Sequence, residues 1–370
     1  MTADRPRLRD SGLRVGAGRP GPLNAITDVS GVRVGHTTLI SGEGPLRPGE
    51  GPVRTGVTVI LPHGDNVFRH KVRAAVHTIN GYGKVYGFEQ VREEGLIEAP
   101  LALTNTLNVA LVADALIQHA IHHNPQIGIT TGSVNVVVGE TNDGHLNDLQ
   151  GRHVRAEHVW RAIEAASPNS VLEGAVGAGT GTTCFGWKGG VGTASRVVAE
   201  DEGGFTLGAL VQTNYGRPDR LTILGVPIGR SLCPPDVDER EAIGDGSVMI
   251  VLATDALLNA RQLRRLCVRT SAGLARTGSV HDHGSGDFVI AFSTAHRIDH
   301  EPSMLVAEGP MLLDEGSVMR GLFSAVVESV EEAVLNSLWR AETVVGRDGH
   351  TRHALPRAEV IELVGGRGLG

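Results

Sequence analysis

Apolar positions along the chain gather into short aliphatic runs separated by glycine-rich turns, with longer stretches of helical period between them. Over residues 24–37 apolar and polar side chains alternate on either side of Gly31, a pattern that predicts a hairpin. Arg54 to Leu61 resumes as a strand that Pro62 ends. Ala99 to Leu103 predicts another strand, followed by a helix over Val109 to His122, where Leu111, Val112, Ala115, Leu116 and Ala120 recur at helical spacing. Ser133 to Val138 reads as a buried strand that runs into a dense polar turn, and His153 to Ala166 as a helix. Gly208 to Gly216 is a strand ending in Asn214. The runs Val248 to Leu252 and Phe288 to Phe292 are too apolar and β-branched to be anything but buried strands. Helices over Ala260 to Arg276 and Ser317 to Glu342 each carry one apolar face. Residues 1–22 read as a loose arm, and the proline-rich residues 217–243 as an exposed linker.

A helix between the strands at 248–252 and 288–292 is a crossover, so strands sharing a sheet would run parallel. Their starts then lie at one edge, which brings Ser285-Gly286-Asp287 near Ser247. Gly244-Asp245-Gly246 delivers the Ser247 hydroxyl to the first position of its strand. A nucleophilic hydroxyl needs a proton acceptor, a group that orients it and an oxyanion donor. No Gly-x-Ser-x-Gly elbow surrounds Ser247, which removes the α/β-hydrolase template. A Ser that follows a Gly offers another route, in which the hydroxyl attacks the Gly246 carbonyl and cuts the chain. The new α-amine of Ser247, with a pKa near ~8, could then act as base at neutral pH. Asn214 is a candidate oxyanion donor. Glu140 and Asp143, in the polar turn after a strand, are placed to hold a cationic group.

Composition narrows the partners. The chain has 370 residues, 41% of them hydrophobic and 20% charged, with a net charge of −7 and no basic run interleaved with aromatics. Nucleic acid and anionic membranes are therefore unexpected, and a small-molecule substrate fits better. Cys184, Cys233 and Cys267 are widely spaced, with no Cys-x-x-Cys pair, and read as buried thiols. The N-terminal residues lack an apolar core, so a cytoplasmic location is expected. His119 and His123 stand four apart without a zincin pattern, and His281-Asp282-His283 is a polar loop with no better claim, so no cofactor or catalytic metal is expected. The Gly174 to Ser195 segment satisfies neither the dinucleotide spacing nor a phosphate loop, since Lys188 precedes Gly189, and reads as substrate-lining loops.

These residues together resemble the DmpA family of L-aminopeptidase/D-alanyl esterase-amidases and β-aminopeptidases, peptidase family S58. The resemblance spans about residues 23–360 and is carried by Gly244-Asp245-Gly246-Ser247, Gly284-Ser285-Gly286-Asp287, Gln212 to Gly216, Glu140-Thr141-x-Asp143-Gly144, the Gly174 to Arg196 loop and Asn24 to Val29. It implies an α/β fold, a four-layer α/β/β/α sandwich resembling N-terminal nucleophile hydrolases with different connectivity. It also implies self-cleavage between Gly246 and Ser247 into an α chain, residues 1–246, and a β chain, residues 247–370, together forming one domain that assembles as a homo-oligomer, typically a tetramer. By resemblance Ser247 is the nucleophile, Ser285 and Asp287 the relay that activates it, Asn214 the oxyanion donor and Glu140 the acid that meets the substrate's amino group. Two positions depart from relatives: Asp287 stands where some carry Glu, and Asn142 stands where a Tyr follows the glutamate, which bears on substrate fit. The activity implied is hydrolysis of N-terminal residues from small peptides, amides or esters. The competing readings are an acyltransferase of the ornithine acetyltransferase type, which uses Thr at the new N-terminus, and an uncut small-molecule binding protein.

Overall fold

The computed structural model describes residues 5–235, 246–303, 306, 309–313 and 316–366. The first half runs β1 (Arg33–Ser41), β2 (Val53–Leu61), β3 (His70–Gly81), α1 (Phe88–Glu94), β4 (Leu96–Ile97), β5 (Leu101–Asn105), α2 (Val109–His123), β6 (Val137–Thr141) and α3 (Ala156–Glu164). It continues through β7 (Thr183–Cys184), β8 (Trp187–Lys188), β9 (Val191–Val197), β10 (Thr206–Asn214), β11 (Ser247–Thr254), α4 (Ala260–Arg276), β12 (Gly286–Asp299) and α5 (Gly316–Arg340). The hairpin β13 (Val344–Val345) and β14 (Thr351–Arg352) and the helix α6 (Arg357–Gly365) close the chain.

Two sheets form the centre, one of four strands in the order β1-β2-β5-β6 and one of six in the order β4-β3-β12-β11-β10-β9. Strand alternation builds the layers, because successive side chains of a strand point to opposite faces. In β11, Met249, Val251 and Ala253 join Leu101, Leu103 and Val137 between the two sheets. Val248, Ile250 and Leu252 point the other way and pack with Leu263 and Leu266 of α4 and Leu322 and Val326 of α5. On the far side of the four-stranded sheet, Val57, Val59 and Val138 pack with Val112 and Leu116 of α2 and Val159 of α3. The result is the α/β/β/α sandwich, with three apolar seams between four layers.

Glycine sets the spacing of both outer seams. A Cβ on Gly35 of β1 would lie 2.0 Å from the Ala162 carbonyl oxygen of α3, and one on Gly192 of β9 would lie 1.9 Å from the Ala333 carbonyl oxygen of α5. Helix backbone cannot step aside as a side chain can, so these approaches need a residue without a Cβ.

Four sequence expectations change. Residues 5–22 are not a loose arm: Leu8 and Val15 are fully buried. Arg9 reaches Glu332 of α5 at 2.6 Å and Arg7 reaches Glu173 at 2.7 Å. Residues 24–37 are not a hairpin, because the Asp28 carboxylate accepts the backbone N–H groups of Leu23 and Ala25 at 2.9 and 3.0 Å and closes a short 3-10 turn. β1 pairs instead with β2. The described part of the proline-rich stretch is not an exposed linker, since Leu221, Ile223 and Ile228 are fully buried. Its remainder, together with the Gly244-Asp245 turn, lies outside the described residues. Of the three cysteines, all free, Cys184 and Cys267 are buried and Cys233 is exposed.

Candidate active site

β11 and β12 run parallel, as the crossover predicts, with Ser247 opposite Gly286. On its other side β11 runs antiparallel to β10, with Ser247 opposite Asn214. β3 completes the edge by placing Gly81 beside Gly286. The starts of β11 and β12 and the ends of β10 and β3 thus meet at one edge of the six-stranded sheet. Ser247 shares its strand face with Met249 and Val251, so its side chain is directed between the sheets.

Ser247 is 5% exposed, and its hydroxyl has no hydrogen-bond partner among the described residues. Such an orphan is uncommon for a buried polar group and calls for an explanation. The carbonyl oxygen of Gly246 accepts the Gly286 N–H at 3.0 Å, so the peptide group in front of Ser247 is already polarised by a backbone donor. Across the ladder, Asn214 Oδ1 accepts the Thr183 N–H at 3.0 Å. That bond fixes which end of the amide is which and leaves Nδ2 as the end available to donate.

Ser285 Oγ donates to Asp287 Oδ1 at 2.5 Å, so aspartate is long enough to make the contact. Both side chains are buried. The other carboxylate oxygen, Oδ2, is 2.8 Å from Nδ1 of His281. The Ser285 carbonyl accepts the Asn80 side-chain N–H at 2.5 Å and the Tyr82 N–H at 3.2 Å, which ties this loop to the end of β3.

Glu140, at the end of β6, reaches the same edge from the opposite sheet. A Cβ on Gly83 would lie 3.2 Å from Glu140 Oε1 and 3.4 Å from Gly286 Cα. Oε1 accepts the Lys84 N–H at 3.0 Å, and Lys84 Nζ donates to Thr106 Oγ1 at 2.8 Å. Burial raises the Glu140 carboxyl above its ordinary value, against the opposing pull of Lys84. Asn142 is exposed, and its Oδ1 accepts the Gly144 N–H at 2.9 Å within its own turn. Asp143 is turned inward, where burial pushes its carboxyl up to about 7 while Thr55 and Asn147 donate to it.

Beneath the site, Gln212 Nε2 of β10 lies 3.0 Å from the Thr104 carbonyl and 2.8 Å from Thr141 Oγ1, stitching the two sheets together. Lys188 is fully buried, and Nζ donates to the carbonyls of Gly179, Thr182 and Gly189 at 2.9, 2.7 and 2.7 Å. Burial lowers its ammonium to about 7. This cage holds the turn that supplies the Thr183 N–H to Asn214.

The structure therefore gathers Gly246, Ser247, Asn214, Ser285, Asp287 and Glu140 at one edge, with Asn142 exposed two residues beyond Glu140. Sequence reasoning gave no role to the side chains of His281, Lys84 or Lys188. His281 stands six residues before Asp287 in a polar loop, and nothing in its spacing signals the contact. Among the described residues, no group of three or more His, Cys, Asp and Glu is placed to hold a metal ion, and no helix is long and apolar enough to cross a membrane.

A profile of peptidase family S58 matches residues 24–352. The chain is 42% identical over 377 residues to the β-peptidyl aminopeptidase BapA of Sphingosinicella microcystinivorans, covering 98% of this chain and 93% of that protein. The crystal structure of the PH0078 protein from Pyrococcus horikoshii superposes with a TM-score of 0.91 at 48% identity, covering 98% of this chain and 99% of that one. The L-aminopeptidase D-Ala-esterase/amidase of Ochrobactrum anthropi, described as a prototype for the serine aminopeptidases and a variant of the Ntn hydrolase fold, superposes with a TM-score of 0.90 at 39% identity. That match covers 98% of this chain and 99% of the Ochrobactrum chain.

Proposed function

The chain belongs to peptidase family S58 and is a serine aminopeptidase, and on that premise we propose that it cuts itself before Ser247 and then works through that residue. The observation that carries the proposal is the buried, unpartnered Ser247 hydroxyl, opposite Asn214 and directly after a polarised peptide group.

In the first step Ser247 Oγ attacks the Gly246 carbonyl carbon, and the developing oxyanion keeps the Gly286 N–H. The C–N bond breaks, the nitrogen takes a proton as the α-amine of Ser247, and Gly246 is left as an ester on Oγ. Water hydrolyses that ester and separates an α chain, residues 1–246, from a β chain, residues 247–370.

The same atoms then serve the substrate. Its ammonium is held by the Glu140 carboxylate, and its first carbonyl lies over Ser247. The α-amine of Ser247, with a pKa near ~8, takes the hydroxyl proton as Oγ attacks. Asn214 Nδ2 donates to the oxyanion, which needs a preorganised donor more than the ground-state carbonyl does. The proton passes to the leaving amine, and water releases the acyl group. Ser285, held by Asp287, orients the amine of Ser247. A single residue between ammonium and scissile carbonyl is supported by Glu140 and Gly286 both lying against Gly83. Small peptides, amides and esters with one free N-terminal residue are the substrate class, and a β-amino acid is included, as the name of the Sphingosinicella relative states for that enzyme. Exposed Asn142 would meet the substrate only at the rim. We further infer a homo-oligomer of cut units, a tetramer, supported by the exposed apolar side chains of Met311 and Leu313, and a cytoplasmic location, supported by the free thiols.

Intact-mass analysis of the purified protein, followed by a panel of p-nitroanilides bearing L-α, D-α and β-amino acids, tests the proposal. Two chains that meet at Gly246 and Ser247, and hydrolysis that disappears in Ser247→Ala, are expected. An uncut protein with full activity refutes self-cleavage, and an active Ser247→Ala protein refutes the nucleophile.

A further inference from the structure

We propose that His281 is a positioning residue for this site. It acts by holding the second oxygen of Asp287, so that the first stays on Ser285. The inference rests on Ser247 being the nucleophile.

Asp287 is 1% exposed, and its two oxygens are divided between two side chains, Ser285 Oγ at 2.5 Å and His281 Nδ1 at 2.8 Å. A carboxylate accepts and does not donate, so Nδ1 carries the proton in this contact whatever the charge of the ring. Buried and with a single donor, the carboxylate could turn about its own axis. That turn would release the Ser285 hydroxyl from its one orientation. With both oxygens engaged, Ser285 must donate to Asp287, and its lone pairs are left for the amine of Ser247.

The backbone supports the assignment. His281 has φ of 55°, in the left-handed region that side chains rarely adopt, and this bend carries the imidazole back to a residue six positions later. The loop around it is closed on several sides. Asp282 takes Arg220 Nη1 at 3.0 Å on both oxygens, Asn80 Nδ2 reaches the carbonyls of Asp282 and His283 at 3.1 Å, and the Ser285 N–H returns to the Asp282 carbonyl at 2.9 Å. These anchors stay in place when the imidazole is removed, so its contribution can be isolated.

The test compares His281→Gly with His281→Asn in the full chain. Glycine relaxes the positive φ and removes the donor, whereas asparagine tolerates the same backbone and keeps a side-chain N–H. His281→Gly is expected to lower kcat on a β-alanyl p-nitroanilide about 10- to 100-fold with KM changed less than about twofold, as loss of positioning does. His281→Asn should return to within about fivefold of the native kcat, and imidazole in the buffer should restore part of the activity of His281→Gly. A residue that only fills space would lower thermal stability, and neither asparagine nor free imidazole would bring kcat back. Native kcat in His281→Gly overturns the inference, as do Gly and Asn variants that are equally slow. If the glycine variant does not fold, His281→Ala takes its place in the comparison. Ser247→Ala is measured alongside: activity there refutes the nucleophile, whereas an inactive Ser247→Ala with an unimpaired His281→Gly refutes only the role of His281.

Discussion

Replacing Asn214 by alanine removes the proposed oxyanion donor and nothing else that touches the substrate. The Thr183 N–H pins Oδ1 at 3.0 Å, so the amide cannot turn over and Nδ2 is presented without reorganisation. Loss of one such donor costs roughly 10²- to 10³-fold in kcat, about 2.7–4 kcal/mol. KM should change by less than about threefold, because the oxyanion exists only in the transition state. Alanine also leaves the Thr183 N–H without its acceptor, for which about 1–3 kcal/mol of stability is expected to be lost. Asn214→Asp separates the two effects: one oxygen still accepts from Thr183, while the other replaces a donor with a repelling acceptor. Its stability should stay near native while kcat falls at least as far as in the alanine variant. Self-cleavage should survive in both variants, because the Gly246 carbonyl leans on the Gly286 N–H. Steady-state p-nitroanilide kinetics and intact mass on the same preparations provide the assay. A kcat for Asn214→Ala within about threefold of native, or a loss confined to KM, refutes the reasoning.

Glu140→Gln keeps the acceptor for Lys84 but loses the charge proposed to meet an ammonium, so KM should rise about 10- to 100-fold, the range of a hydrogen bond to a charged group, with kcat nearly unchanged. In the native enzyme, burial raises the Glu140 carboxyl, so KM should climb as pH falls through that raised value, at a higher pH than for an exposed glutamate; a KM independent of pH between roughly 4 and 7 would count against the role. Glu332→Gln removes the buried carboxylate that Arg9 and Arg196 share at 2.6 Å each and leaves the buried Arg196 to Glu328, which should cost about 3 kcal/mol in urea unfolding. Gly192→Ala drives a Cβ into the Ala333 carbonyl, a backbone atom that cannot step aside, and should lower stability by at least ~1–3 kcal/mol, read as a lower thermal midpoint.

Elements whose apolar period is strong and local were legible in the sequence. α4 begins and ends at the expected residues, and α2 differs from its expected span by one. The parallel pairing of β11 with β12 followed from the crossover, and with it the meeting of Ser247 and Gly286. What escaped was set by distant partners. The arm at residues 5–22 is rich in Arg, Gly and Pro and looks unstructured until Glu173 and Glu332, far along the chain, neutralise Arg7 and Arg9. Pro218 and Pro227 suggested an exposed linker, yet the aliphatic side chains between and beside them enter the core shared with α4 and α5. The Asx turn that Asn142 closes with Gly144 is local and was not foreseen from its place after Glu140. His281 had no periodic or motif signal, and only the left-handed bend at that residue brings it to Asp287.

The strand order of the six-stranded sheet bears on the proposed self-cleavage. β12 and β11, which would belong to the β chain, lie between β3 and β10, which would belong to the α chain. The proposed scission would free a terminus without freeing a subunit, because the β-chain pair is clamped along both flanks by strands of the α chain. The halves could part only by tearing two ladders at once, so mixed enzymes should not arise when differently labelled preparations are combined. Once unfolded, the separate chains would have to find each other with no covalent memory of their register, and inactivation by heat should be irreversible, with a lifetime set by the rate of unfolding.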